Sequence, residues 1–487
     1  MFLRRFLLLG LYCLMATYVH SQPEAPKIKP EKCSWFSTIL TQAQLDRLEC
    51  AWLVVPEFRD GRESSYNMEL SLLRIRSRQA TDSAPILYLP GGPGEAASSS
   101  LTDWMESELG QERDIIILDP RGTGFSYPSL ICPEVSQNKV VDWVSACRER
   151  MSARGLDLTA YTIPAVVRDY VDLLSLLDLP QVNVYGSSYG SRLALMLADS
   201  APERIRSLSL DGVYPPPLRH TAEVARNLDM ALNQLFDDCA KDVACKETYP
   251  ALRDSFYRAV SELNASPQEL SLLGQDIGMA ITGNDFVLMM SSLLHHTSVI
   301  PYLPAFIASF ANGDYDFEPL LGSELFASDE DGRESQTESA FLTQRCSEDL
   351  AVPEAQRYLT NPDGIAPVLI AATQEVVEAH YAECQTWNVP ALTTPIERPV
   401  TSGIPSLLMS GAYDPATPAQ WGSFAAEHLR NNWHFVFPNA GHGMLDSVPC
   451  ATEIMGAFLS DPLQDPSADC FSALRPPRFV ISPGKNE

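Results

Sequence analysis

A serine flanked by glycines is the first feature of this chain that could do chemistry. Gly186-Ser187-Ser188-Tyr189-Gly190 follows an apolar run ending at Tyr185 and precedes a helix-like stretch starting near Ser191. In a strand–turn–helix setting, G-x-S-x-G forms a nucleophile elbow. Its glycines permit a tight turn from which the Ser188 hydroxyl can project. A serine hydroxyl is a weak nucleophile until a base takes its proton, a carboxylate orients that base, and donors receive the oxyanion. In the chain order Ser, acid, His, the candidates are Asp414 in Gly411-Ala412-Tyr413-Asp414-Pro415 and His442 in Asn439-Ala440-Gly441-His442-Gly443. Each follows a short apolar run, so both loops should leave a sheet on the side of Ser188. Among the seven other histidines, His20 lies near the N-terminus, and His220, His295, His296 and His380 lie in or beside a helical insert. His428 falls in a helix and His434 at a strand start.

The oxyanion needs backbone donors that no side chain obstructs. Pro90-Gly91-Gly92-Pro93-Gly94 follows the apolar run ending at Leu89. The Gly92 and Tyr189 N–H groups are the expected pair of donors; an ordinary Gly/Pro turn is the alternative.

These loops require a sheet. Ala51 to Val55 and Leu70 to Ile75 read as strands, and Pro85 to Leu89 and Asp114 to Leu118 as buried parallel strands. Leu101 to Leu109 and Val166 to Leu177 are helical, Val182 to Tyr185 a strand, Arg192 to Ala198 a helix and Ile205 to Leu210 a strand. Alternation of strand and helix is the α/β signature. After Pro215-Pro216-Pro217 the pattern becomes helical (Ala222 to Phe236, Pro250 to Leu263, Asn284 to Leu294, Pro367 to Tyr381) without a convincing buried strand. Asp314 to Glu338 reads as a solvated acidic loop. The α/β alternation resumes with strand Ser406 to Ser410, helix Pro418 to Leu429, strand His434 to Phe437 and helix Cys450 to Leu459. The expected organisation is a signal peptide at 1–21, a core at 22–216, a helical lid at 217–400 and the rest of the core at 401–487.

The chain has 487 residues, a formal charge of −27 and 45% hydrophobic residues. This composition excludes a disordered chain, and the acidity argues against nucleic-acid binding, which needs a basic face. Met1 to Ser21 joins Arg4-Arg5 to an apolar run and small residues, the pattern of an export signal. That run is too short to span a bilayer, so no stable membrane insertion is expected, and the destination is secreted or periplasmic. Eleven cysteines become ten when Cys13 leaves with the signal, an even number for an oxidising compartment. They fall in successive pairs, and sequential pairing is the expectation, although spacing alone does not fix it. There is no CxxC and no Cys/His cluster at zinc spacing, so neither metal nor cofactor is expected.

Six segments together resemble the secreted tripeptidyl-aminopeptidase branch of the prolyl-aminopeptidase-like serine peptidases. They are Pro90 to Gly94, Asp119-Pro120-Arg121-Gly122-Thr123-Gly124-Phe125-Ser126, Gly186 to Gly190, Leu210-Asp211-Gly212-Val213, Asp414-Pro415-Ala416-Thr417-Pro418 and Gly441-His442-Gly443. The likeness runs from about Cys33 to Cys470 and is specific in the two core halves. Prolyl aminopeptidases usually carry His where this chain has Pro90. The resemblance implies an α/β-hydrolase fold with a mostly parallel sheet and a large inserted helical lid. It also implies release of short peptides, tripeptides in that branch, from a free N-terminus. Asp119 and Arg121 are expected to brace neighbouring loops. A secreted carboxylesterase with the same triad is the nearest alternative; an inactive hydrolase-fold binding protein would be expected to lack one of the three residues.

A substrate ammonium entering a partly dry cavity needs an acidic partner. Cys346-Ser347-Glu348-Asp349 sets two carboxylates beside a half-cystine in the lid, which nominates Glu348 first and Asp349 second for substrate binding. A salt-bridging pair is the alternative. Asp329-Glu330-Asp331 has no such anchor.

Overall fold

The computed structural model describes residues 25–62, 66–79, 83–135, 142–272, 275–317, 337–353, 362–394, 396–466 and 469–481. The expected export signal and most of the acidic 314–338 stretch lie outside the described residues.

The strands in chain order are β1 (Lys27–Glu31), β2 (Leu48–Pro56), β3 (Asn67–Ile75), β4 (Ile86–Leu89), β5 (Ile115–Leu118), β6 (Val182–Ser187), β7 (Ile205–Asp211), β8 (Gln268–Leu272), β9 (Gln275–Ile281), β10 (Ser406–Gly411) and β11 (Asn432–Phe437). Nine of them form one sheet in the order β1-β2-β3-β5-β4-β6-β7-β10-β11. The β1–β2, β2–β3 and β3–β5 pairs are antiparallel. From β5 onward every pairing is parallel.

All four positions of β4 and of β5 are buried, because both faces of the sheet are covered. The pleat sends Leu87, Leu89, Ile116 and Leu118 to one core, with α1 (Ile163–Leu176) and α2 (Tyr189–Ser200). Ile86, Tyr88, Ile115 and Ile117 go to the other, against Trp104, Met105 and Phe458. Apolar runs without alternation therefore mark the central strands.

Between β7 and β10 lie α3 (His220–Lys241), α4 (Leu252–Ala265), α5 (Gly283–His295), α6 (Leu303–Ala311), α7 (Glu338–Asp349) and α8 (Pro367–Trp387). Leu228, Phe256, Phe286, Phe306, Phe310 and Leu369 from these helices join one further core. The insert also holds a β8–β9 hairpin that the sequence pattern did not reveal. Leu270 and Ile281 are buried there, but flanking polar residues blur the alternation. β1 was missed for a related reason: Lys-Ile-Lys-Pro-Glu is an edge strand, and lysine and proline protect such an edge while erasing its apolar signal. The helix expected over Leu101 to Leu109 is two, Leu101–Glu106 and Glu108–Glu112, because Ser107 is extended and its hydroxyl caps the Gly110 N–H at 3.0 Å.

Five disulfides join Cys33–Cys50, Cys132–Cys147, Cys239–Cys245, Cys346–Cys384 and Cys450–Cys470, the sequential pairing. Among the described residues no helix is long and apolar enough to cross a membrane.

Candidate active site

β6 ends at Ser187 and α2 begins at Tyr189, which leaves Ser188 alone in the turn at φ 53° and ψ −120°. Such a conformation costs about 1–3 kcal/mol for a residue with a Cβ, so the surroundings must hold it. The Ser188 N–H donates to the Asp211 carbonyl at 2.7 Å. A Cβ on Gly186 would lie 2.3 Å from the Gly190 carbonyl oxygen, and one on Gly190 would lie 2.1 Å from that of Leu89. The elbow closes only because both are glycine.

Asp414 follows β10 and His442 follows β11, as the pattern required. His442 Nδ1 lies 2.8 Å from Asp414 Oδ2. Asp414 is 2% exposed, and it also accepts from the Ala416 N–H at 2.8 Å, the Thr417 N–H at 3.0 Å and the Thr417 hydroxyl at 2.6 Å. Burial disfavours its charge, yet the His442 charge and these donors bring its pKa down to about 2. Burial likewise pushes the His442 pKa down, but Asp414 outweighs it and the net shift is upward. The pair is thus built to hold an imidazolium. Ser188 and His442 share no direct hydrogen bond, and catalytic hydrogen bonds of this kind often tighten only when substrate is bound. They converge on one peptide: Ser188 bonds to Asp211, and a Cβ on Gly212 would lie 3.0 Å from His442 Cε1.

Three contributors to this arrangement were not picked out from the sequence. The Thr417 hydroxyl lies 3.2 Å from His442 Nδ1 as well as bonding Asp414. The Asp211 carboxylate accepts from the Met444 and Leu445 N–H groups at 2.8 Å each and from the Tyr185 hydroxyl at 3.1 Å, which ties the histidine loop to the elbow. His295, at the end of α5, accepts the His442 N–H on its carbonyl at 2.8 Å, with the two rings 5.5 Å apart. The motifs containing Thr417 and Asp211 were visible, but nothing in a linear pattern assigns them these partners.

Of the segments expected to supply oxyanion donors, Tyr189 follows Ser188 directly, and a Cβ on Gly91, next to Gly92, would lie 3.4 Å from Ser188 Cβ. Tyr189 opens α2, where an amide has no acceptor in its own helix. Gly92 sits at φ 100° in the loop after β4. α7 spans both. At its start the Thr337 N–H donates to the Gly94 carbonyl at 2.8 Å, so close that a Cβ on Gly94 would lie 2.7 Å from the Thr337 oxygen. At its end Glu348 accepts from the Tyr189 hydroxyl and pairs with Arg192 at 2.6 Å. Asp349 pairs with Arg345 at 3.4 Å and His380 at 3.0 Å. Both acids nominated for substrate binding therefore sit in ion pairs within the protein.

Asp119 accepts from the Ser98 N–H at 2.7 Å, the Ser98 hydroxyl at 2.9 Å and the Phe125 N–H at 3.0 Å. Arg121 is fully buried and forks onto both oxygens of Asp169 at 2.6 Å. Both act as braces. A cavity of about 920 Å³ opens beside His442 and is lined also by Asp446, Glu106, Glu108, Glu453 and His295.

Residues 84–263 match the family described as alpha/beta hydrolase fold, and residues 369–470 match the TAP-like protein family. Serine protease Hip1 of Mycobacterium tuberculosis is 23% identical over 461 residues, covering 86% of each chain. Carboxylesterase B of the same organism is 25% identical over 497 residues, covering 92% of this chain and 91% of the relative. Among solved structures, a proline iminopeptidase of Mycobacterium smegmatis aligns at a TM-score of 0.43 and 17% identity, covering 84% of this chain and 98% of the other. With these matches and relatives the chain is similar to the α/β-hydrolase peptidases, and its fold is that of the α/β hydrolases. It is a serine hydrolase.

Proposed function

We propose that this protein is an exported serine exopeptidase that releases short peptides or single residues from free N-termini. The observation that carries the proposal is the buried Asp414–His442 pair set beside a strained Ser188 elbow. In this reading Ser188 Oγ attacks the scissile carbonyl while His442 Nε2 takes its proton. Asp414 holds the ring with Nδ1–H toward itself and stabilises the imidazolium. Gly92 and Tyr189 N–H groups receive the oxyanion, each donor contributing about 3 kcal/mol to lowering the barrier. His442 then returns the proton to the leaving amine, and water hydrolyses the acyl-enzyme by the same route in reverse. Apart from that water and the substrate, these steps use groups of this chain.

Peptide substrates are supported by the TAP-like match and by the Hip1 relative, whose name describes a protease. Five disulfides and the N-terminal Arg4-Arg5 with its apolar run support export to a periplasm or beyond the cell. The 217–400 segment serves as the lid, since α5 and α7 touch the histidine and oxyanion loops. The carboxylesterase B relative favours one second reading, ester hydrolysis by the same residues.

A panel of free and N-acylated mono-, di- and tripeptide amides beside simple esters separates the two. The exopeptidase reading expects cleavage of amides with a free N-terminus, abolished in a folded Ser188→Ala variant. Cleavage of esters alone would establish the second reading instead. Amide turnover surviving in Ser188→Ala would reject the triad.

A further inference from the structure

Glu95 brings a carboxyl group to the loop that should hold the oxyanion. A Cβ built on Gly91 would lie 2.9 Å from Glu95 Oε2 and 3.4 Å from Ser188 Cβ, so carboxyl and nucleophile flank a single point. Its surroundings differ from those of Glu348, Asp349 and Asp414. Glu348 has Arg192, Asp349 has Arg345, and Asp414 has His442. Among the described residues no lysine or arginine pairs with Glu95; the charges it senses are those of Asp446 and His442, with the Gly91 N–H as its local donor.

An ionised carboxylate in this position opposes the reaction. The tetrahedral intermediate puts negative charge on the carbonyl oxygen beside the same loop, and like charges repel strongly where water is excluded. A neutral acyl donor leaves that repulsion in place. An acyl donor that carries its own cation cancels it. In an aminoacyl substrate the α-ammonium is separated from the scissile carbonyl carbon only by Cα, whereas in a tripeptidyl substrate it lies roughly 7 Å farther along an extended chain.

We propose that Glu95 is the specificity-determining carboxylate of this site: it receives a substrate α-ammonium one residue from the scissile carbonyl, and the enzyme therefore removes single N-terminal residues. This rests on the exopeptidase reading and selects the length of its product. Burial first, and then the Asp446 charge, raise the Glu95 pKa to about 7, so without a substrate cation beside it the group is partly protonated near neutrality. Arrival of an ammonium favours the ionised form, and the carboxyl proton leaves to solvent. Asp446 extends the same negative field along the cavity beside His442.

The test compares kcat/KM of wild type and Glu95→Gln on four probes: an aminoacyl anilide, its N-acetyl derivative, a tripeptidyl anilide and a simple phenyl ester. Rates are normalised to sites titrated with a fluorophosphonate at Ser188. Wild type should prefer the free aminoacyl anilide over both other anilides. Glu95→Gln should lower turnover of that substrate by about ten- to a hundredfold, the range for losing a charged partner. It should raise ester turnover severalfold at pH 8, where wild-type Glu95 is ionised. Parallel loss on ester and anilide would make Glu95 a loop brace and overturn the proposal, as would faster wild-type cleavage of the tripeptidyl anilide. If the variant yields no titratable sites, the wild-type ranking of the three anilides decides. Failure of the broader reading is separately visible, because it would appear as ester turnover with no cleavage of any anilide, or as anilide turnover that survives Ser188→Ala.

Discussion

Asp414 stays ionised although buried because four donors converge on it, and its charge is what makes His442 a stronger base than an ordinary histidine. A general base works deprotonated, so kcat/KM should rise with pH through the His442 pKa and be lost below it. Since that pKa is raised from 6.5, the acid limb of the profile should have its midpoint above 6.5. Asp414→Asn removes the charge that raises it. The limb should then move to lower pH while kcat falls by about 10⁴-fold; an unmoved limb in pH–rate profiles would show that another group titrates. The candidate triad of Ser188, Asp414 and His442 could be nominated from the sequence because the proposed chemistry demands those types, in that order, at strand ends beside glycine. Thr417, Asp211 and His295 could not, because their parts depend on which loops meet in space. Glu348 shows the limit of charge logic: it was nominated for substrate with a salt-bridging pair as the alternative, and Arg192, 156 residues earlier in the chain, is the cation it meets in the fold.

The secondary structure that carries the site was readable where one physical signal dominated. β4 and β5 are four-residue apolar runs because both their faces are covered, and α5 begins at a Thr282/Asp285 capping box. β1 and the β8–β9 hairpin were lost because an exposed strand needs no apolar stripe. The most consequential element, α7, was legible only as part of a helical insert. It contacts the Gly94 loop at one end and the nucleophile helix α2 at the other, so it links the two segments that carry the expected oxyanion donors. Glu348→Gln keeps the side-chain shape but leaves Arg192 as a buried charge without its carboxylate, a change that costs about 3 kcal/mol or more. The expected outcome is a lower denaturation midpoint and a similar fall of kcat on ester and peptide, with KM little changed. A loss confined to substrates with a free amine, measured on both substrate classes, would instead return Glu348 to the role of ammonium partner.

Five covalent cross-links tie the sheet, its flanking segments and the insert, and they differ in what they constrain. A disulfide stabilises chiefly by shortening the loops open to the unfolded chain, so its effect grows with the residues it encloses. Cys346–Cys384 joins α7 to α8 across 38 residues, whereas Cys239–Cys245 closes only 6. Loop entropy assigns about 4 kcal/mol to the first and about 2 kcal/mol to the second. The first bridge also holds the helix that contacts the Gly94 loop and Tyr189, whereas the second joins the end of α3 to the short Val243–Thr248 helix. Paired Cys→Ala variants should therefore separate on two readouts. Removing Cys239–Cys245 should lower the urea midpoint modestly and leave kcat near wild type. Removing Cys346–Cys384 should lower the midpoint further and reduce kcat as well, because α7 then loses its covalent link to α8 and the two segments that carry the expected oxyanion donors lose a common support. Equal kcat in the two variants, measured under conditions where both remain folded, would show that packing alone holds α7 in place.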